Sequence, residues 1–165
     1  MSDNYNIDDA RFMDLAFSHA EEALQRGDLP VGAVVALDGQ IVSASSNMNT
    51  SEKTWLSHAE QNALRTAGQR LRYEYEVNGR SGSLYSSLEP CVMCISHAIF
   101  CRISTIYFGG TDKKYSGISI LDLGANDYYA RLRPAIVGPT HQMRCEELFG
   151  FYQPKWPFDN LQEIK

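Results

Sequence analysis

Hydrophobic and polar positions along this chain change period several times, and each change marks an element. Over residues 8–26, Phe12, Leu15, Ala16, Ala20, Ala23 and Leu24 recur at helical spacing with the charges opposite them, which predicts a core-covering helix. His19 falls on that stripe with nothing of ligand spacing beside it, so it reads as a histidine satisfied at the core edge. Gly27-Asp28-Leu29-Pro30 breaks the helix. The unbroken apolar run at 31–37, the Asp38-Gly39 pair and the run at 40–45 then predict a hairpin with a buried first strand. Residues 46–55 are rich in Asn, Ser and Thr and carry no period, so they predict a loop.

A second helix is predicted over 58–71, with Ala59, Ala63 and Leu64 on its apolar face, followed by a charged connection over 72–80. Residues 83–88 read as a third strand, and the helix after Cys91 carries Met93, Ile95, Ala98, Ile99 and Phe100. A fourth strand is predicted over 103–108, stopped by Gly109-Gly110. Strand, helix, strand in that order is a βαβ unit, so the third and fourth strands should be parallel. Ligands of open α/β sheets collect at the carboxyl ends of such strands, where Cys91 falls. The pattern weakens over 111–133, with a short helix around 118–123, and then gives a last strand at 133–137 and a helix over 141–152. Pro154 and Pro157 bar that helix from continuing.

Composition narrows the class. A chain of 165 residues without a repeat or linker fits a single domain over 1–165, with a loose terminus at 1–7. Lys and Arg number 15 against 20 Asp and Glu, a net charge of -5, which argues against a broad electrostatic grip on nucleic acid. With no signal-like leader and no apolar run of bilayer length, the expectation is a soluble cytoplasmic protein with no membrane partner. The four cysteines are Cys91, Cys94, Cys101 and Cys145; without a secretion signal, metal binding outranks disulfides. Cys101 and Cys145 read as small buried hydrophobes.

Cys91 and Cys94 stand at i and i+3 on one helical face, directly after Pro90. Pro90 suits the first helical position, and the dipole and free N–H groups there favour thiolates, the metal-binding form. Two sulfurs are half of a tetrahedral site. His58 is the third donor, which leaves the fourth position to water, as in catalytic rather than structural zinc sites. Zinc held in this way turns a water into a hydroxide nucleophile near neutral pH. Attack on an electron-poor ring carbon then needs one carboxylate that takes the water's proton and returns it to the departing nitrogen, and Glu60 is the candidate. Residues two apart diverge in mid-helix, so His58 and Glu60 can share a site only if the ligand sits off the helix end. Each residue also has an ordinary reading: a helix-start histidine, a solvated first-turn carboxylate, two buried thiols. Jointly they point to a site.

His58-Ala59-Glu60 with Pro90-Cys91-Val92-Met93-Cys94 resembles the H-x-E…P-C-x-x-C signature of the zinc-dependent cytidine deaminase superfamily. Leu29-Pro30-Val31-Gly32-Ala33-Val34-Val35, Asn47, Leu88-Glu89-Pro90 and Phe108-Gly109 extend the likeness to the branch holding bacterial tRNA adenosine deaminases, guanine deaminases and fungal-type cytosine deaminases. The resemblance implies an α/β fold of three layers, α/β/α, with a mixed five-stranded sheet, usually paired as a homodimer. It implies one Zn2+ per chain on His58, Cys91 and Cys94, with Glu60 as the catalytic proton shuttle. Asn47 and the backbone N–H of Ala59 would contact the base, and Val31 would line the pocket.

Trp156-Pro157-Phe158-Asp159 resembles the Trp-x-x-Asp ending of fungal-type cytosine deaminases, which implies a tail, 153–165, that closes the site and brings Trp156 and Asp159 to the base. The tRNA enzymes typically carry basic residues in the last helix, where this chain has Glu146 and Glu147. Asp112 falls near a family aspartate that contacts nucleic acid. The expected activity is therefore hydrolytic deamination of a free nucleobase or nucleoside, of cytosine or guanine type, with release of ammonia. Adenosine-to-inosine deamination in tRNA is the alternative within the class. A zinc-binding module without catalysis is the alternative outside it, and Glu60, which a structural site does not need, favours the enzyme.

Overall fold

A computed structural model of the chain describes residues 7–122 and 127–153. The elements run α1 (Ile7–Arg26), β1 (Gly32–Leu37), β2 (Gln40–Ser46), α2 (Ala59–Asn78), β3 (Ser83–Leu88), α3 (Val92–Phe100), β4 (Thr105–Gly110), a 3-10 turn (Ile118–Asp122), α4 (Asp127–Ala130), β5 (Ala135–Val137) and α5 (Gln142–Phe151). The five strands form one mixed sheet in the order β2-β1-β3-β4-β5. β1 is antiparallel to β2 and β3, whereas β3, β4 and β5 run parallel, as the βαβ reading requires.

Strand side chains alternate between faces, so each central strand serves two cores. Ala33, Val35, Leu84 and Ile106 pack with Ala63 and Leu64 of α2 and Ile95 and Ala98 of α3. Val34, Ala36, Tyr85 and Tyr107 pack with Phe12, Met13 and Phe17 of α1 and Cys145 of α5. Helices on both faces explain why β1 reads as an unbroken apolar run, since neither face meets water. The result is the α/β/α arrangement expected. Among the described residues no helix is long and apolar enough to cross a membrane.

Several boundaries differ from the sequence pattern, β4 and β5 each starting two residues late, and two of the differences have a visible cause. The stretch expected as a charged connection, 72–80, continues α2 to Asn78, and the helix ends only at Gly79, in the left-handed region at φ 65°. The charges there are paired: Arg72 with Glu76 at 3.0 Å, and the buried Glu74 with Arg70 at 2.6 Å and with Arg80. Asn78 and Arg80 hold the Glu74 carboxyl below its ordinary pKa. At the other boundary, β4 runs through Gly109 and Gly110 instead of stopping before them. Gly109 is required there because a Cβ would lie 2.7 Å from the Phe17 ring and 2.6 Å from the Ser87 carbonyl. The weak segment after β4 contains the 3-10 turn at the expected place and the short α4, which the pattern did not show.

Candidate active site

Two helix starts converge at the carboxyl end of β3. His58 is the N-cap of α2 and Cys91 the N-cap of α3, both in extended conformation, so each side chain leaves its helix at the end instead of along the flank. That meets the geometric condition on His58 and Glu60. Pro90 stands one residue outside the helix and not at its first position, because Cys91 takes the capping place. His58 Nδ1 lies 3.6 Å from Cys91 Sγ and 3.6 Å from Cys94 Sγ, and the two sulfurs are 3.7 Å apart.

These distances test the metal. Zinc bonds of about 2.3 Å to sulfur and about 2.05 Å to nitrogen, at tetrahedral angles, require separations of about 3.8 Å between sulfurs and about 3.6 Å from sulfur to nitrogen. The three atoms therefore form one face of a tetrahedron of the right size, and they are the one such group of His, Cys, Asp and Glu among the described residues. Electrostatics agree with the donor set. The hydrogen bond with Cys94, together with His58, draws the Cys91 thiol down to about 4, and the same bond pushes Cys94 up. A cation held by the pair would take the place of the proton between them.

Glu60 is not the solvated carboxylate of its ordinary reading. It is 3 % exposed, interacts with His58 and Cys94, and is pushed above its usual pKa by burial. Ser86 Oγ, fully buried in β3, donates to Glu60 Oε1 at 3.3 Å. Ala59 is the first residue of α2, where a backbone N–H has no acceptor within the helix. Asn47 is 1 % exposed, and its backbone N–H donates to the Val31 carbonyl at 2.8 Å, so the expected base contact and the expected pocket-lining residue lie side by side. Trp156 and Asp159, with the tail beyond Gln153, lie outside the described residues.

Several supporting residues escaped the sequence reading. Asp28, with no exposed surface, accepts the backbone N–H groups of Thr50 and Ser51 at 2.9 and 2.8 Å and pins the loop that carries Asn47. Glu89, also buried, accepts the N–H of Asp112 at 3.1 Å and the Ser116 hydroxyl, tying the segment after β4 across the cysteine loop. Asp112 spends Oδ1 on the N–H groups of Lys114 and Tyr115 in its own turn. Polar residues inside an otherwise buried strand, such as Ser86 and Ser87, were the available signal. The segment after β4, a strap over the cysteine loop, also walls a cleft of about 370 Å³ between Leu29, Leu88, Asp112, Tyr115, Glu146 and Phe149, which none of His58, Glu60, Cys91 and Cys94 lines.

Gly117 completes the strap. Its N–H donates to the Pro90 carbonyl at 3.0 Å, and a Cβ there would lie 2.3 Å from the carbonyl carbon of Cys91. Gly117→Ala must push the Cys91 loop off its position. The expected result is a protein that keeps the fold but holds less than one zinc per chain after desalting, measured by elemental analysis; full occupancy would show that the strap does not brace the ligand.

An α/β/α domain with a mixed sheet, two cysteine sulfurs and an imidazole forming an open tetrahedral face, and a buried carboxyl beside them define a zinc-binding deaminase domain. The chain belongs to the cytidine and deoxycytidylate deaminase family, whose zinc-binding region matches residues 6–110. It is 36 % identical over 107 residues to the tRNA-specific adenosine deaminase of Aquifex aeolicus, covering 65 % of this chain and 69 % of that one. It is 38 % identical over 103 residues to the tRNA-specific adenosine deaminase of Agrobacterium fabrum, covering 62 % and 66 %. A solved structure from work on A-to-I editing by tRNA:A34 deaminases superposes with a TM-score of 0.66 at 27 % identity, covering 84 % of this chain and 99 % of the other. The guanine deaminase of Nitrosomonas europaea shares the fold, with a TM-score of 0.68 at 16 % identity over 89 % of this chain and 85 % of that one.

Proposed function

We propose that this chain is a zinc-dependent hydrolytic deaminase of adenosine in RNA, with a tRNA stem-loop as the substrate class. That is the alternative within the class, which the similarity to tRNA-specific adenosine deaminases supports better than the expected free base. What supports it is the identity of 36 % and 38 % to tRNA-specific adenosine deaminases, from alignments that span about two thirds of each relative. For the reaction itself, the observation that carries the reading is the buried Glu60 carboxyl next to the His58, Cys91 and Cys94 face.

When bound on that face, zinc supplies Lewis acidity and an activated water as nucleophile. The chain's own groups do the rest. Glu60 takes the water's proton and returns it to the leaving nitrogen, so that water and the exocyclic amine become a carbonyl and ammonia. A carboxyl raised by burial toward the working pH is suited to both directions of that transfer. Asn47 Oδ1 accepts the N–H of Asn49 at 3.0 Å, and an N–H can only donate, which fixes the orientation of the amide and leaves Nδ2 as the group that would donate to a ring acceptor. The N–H of Ala59 is a second donor to the base. Ser86 holds the Glu60 carboxyl from the side of the sheet.

A free base of cytosine or guanine type stays as the second reading. The net charge of -5 favours it, since phosphate binding depends on cations. Ammonia release across cytosine, guanine, adenine, their nucleosides and an adenosine-bearing tRNA stem-loop decides between the two. Turnover on the stem-loop with inosine formed in the RNA is expected; turnover on free bases alone would overturn the RNA reading. Pairing as a homodimer is part of the proposal. Trp55 and Leu56, before His58, and Val92, after Cys91, are apolar and exposed at the rim of the site. Sedimentation should give twice the mass of one chain, and a monomer at working concentration would remove that element.

A further inference from the structure

The metal-binding groups enter from two separate helices. His58 and Glu60 come from the start of α2, Cys91 and Cys94 from the start of α3, with about thirty residues of chain between them. A tetrahedral site tolerates errors of only about 0.2 Å in ligand distances, so something must hold the two helix starts in register. Gln61, the residue after Glu60, reaches across: its Nε2 donates to the Met93 carbonyl at 3.2 Å, and its Oε1 pairs with His97 Nδ1 at 2.5 Å.

Chemistry fixes the direction of both bonds. The Met93 carbonyl can only accept, so the amide nitrogen of Gln61 faces it and the amide oxygen faces His97. His97 Nδ1 must then carry the hydrogen. Met93 lies between the two cysteines and His97 one turn further along α3, so a single α2 side chain grips both ends of the turn that presents Cys94. Burial lowers the pKa of His97, which keeps the ring neutral around pH 7.

We propose that Gln61 and His97 form an interhelical clasp that sets the spacing between His58 and the cysteine pair, and so act as positioning residues for zinc retention. The proposal rests on the metal reading of His58, Cys91 and Cys94, and not on which base is deaminated. Neither residue is a ligand, and neither touches the reacting atoms. Groups that orient metal ligands from behind are worth about 10- to 100-fold in metal affinity.

The test measures zinc release from the loaded protein to a coloured chelator in excess, beside thermal melts of the metal-free forms. Zinc content of the unaltered protein is measured first; a chain that holds none overturns the metal reading and the clasp with it. With zinc present, Gln61→Met, which keeps volume but neither bond, and His97→Ala should each release zinc about 10- to 100-fold faster. The double variant should be no faster than the quicker single one, since either change opens the clasp. His97→Asn, which keeps a donor near the place of Nδ1, should stay near the unaltered rate. Unchanged release in both single variants would overturn the clasp while leaving the zinc site standing. So would faster release that appears only in variants whose metal-free forms also melt lower, because that marks a general brace and not a spacer.

Discussion

Glu60→Ala keeps its zinc and loses turnover by at least about 10²- to 10⁴-fold, the usual worth of a positioned proton-transfer group. The two outcomes separate because the tetrahedral face is complete without Glu60: His58, Cys91 and Cys94 lie 3.6 to 3.7 Å apart by themselves. Folding should survive as well. A carboxyl that is 3 % exposed and raised in pKa by desolvation is a burden on the native state, and its removal leaves no buried charge behind. Glu60→Gln is the sharper control. It preserves shape and can still accept the Ser86 hydroxyl, yet it cannot carry the proton. Deamination retained by both variants, at a zinc content of one per chain, would remove Glu60 from the mechanism.

The second large effect belongs to Cys91. Cys91→Ser replaces a sulfur that ionises at about 4 with a hydroxyl that stays protonated at neutral pH, so the site loses the donor that is already anionic. Loss of a direct ligand should exceed the roughly 100-fold cost of disturbing a supporting group. Elemental analysis after desalting should find little zinc, and turnover should fall with it; a full complement would take Cys91 out of the ligand set. The fold should remain. The two apolar layers of the core, one under α2 and α3 and the other under α1 and α5, are built from Phe12, Phe17, Leu64, Leu84, Ile95 and Ile106, none of which needs the metal. Stripping zinc from the unaltered protein should therefore lower its melting temperature without unfolding it at room temperature.

The relation between charge and substrate also changes once the fold is in view. Net charge is a property of the whole surface, whereas the partner of the site is set by the few groups around it. Glu146 and Lys113, of opposite sign, line one cleft, so a value of -5 does not describe even that single patch of surface. The free-base expectation leaned on that charge and on Trp156 and Asp159, which fall outside the described residues.

What the chain alone determined is whatever depends on neighbours in sequence. The 3.6-residue stripe of α1, the unbroken run of β1, and the order strand, helix, strand around Cys91 are local, and so is the spacing of His58 to Glu60 and of Cys91 to Cys94. What only the tertiary structure decided depends on groups far apart in sequence meeting in a buried place. Glu60 became a buried acceptor because Ser86 lies behind it, and α2 reached Asn78 because Arg80 returns to Glu74 and Asp38. Glu89 and Gly117 bind a segment without periodicity over the cysteine loop. The tetrahedral face itself is of this second kind. Local pattern placed its three donors at helix starts, and the packing of α2 and α3 on one sheet brought those starts within a sulfur–nitrogen distance of 3.6 Å.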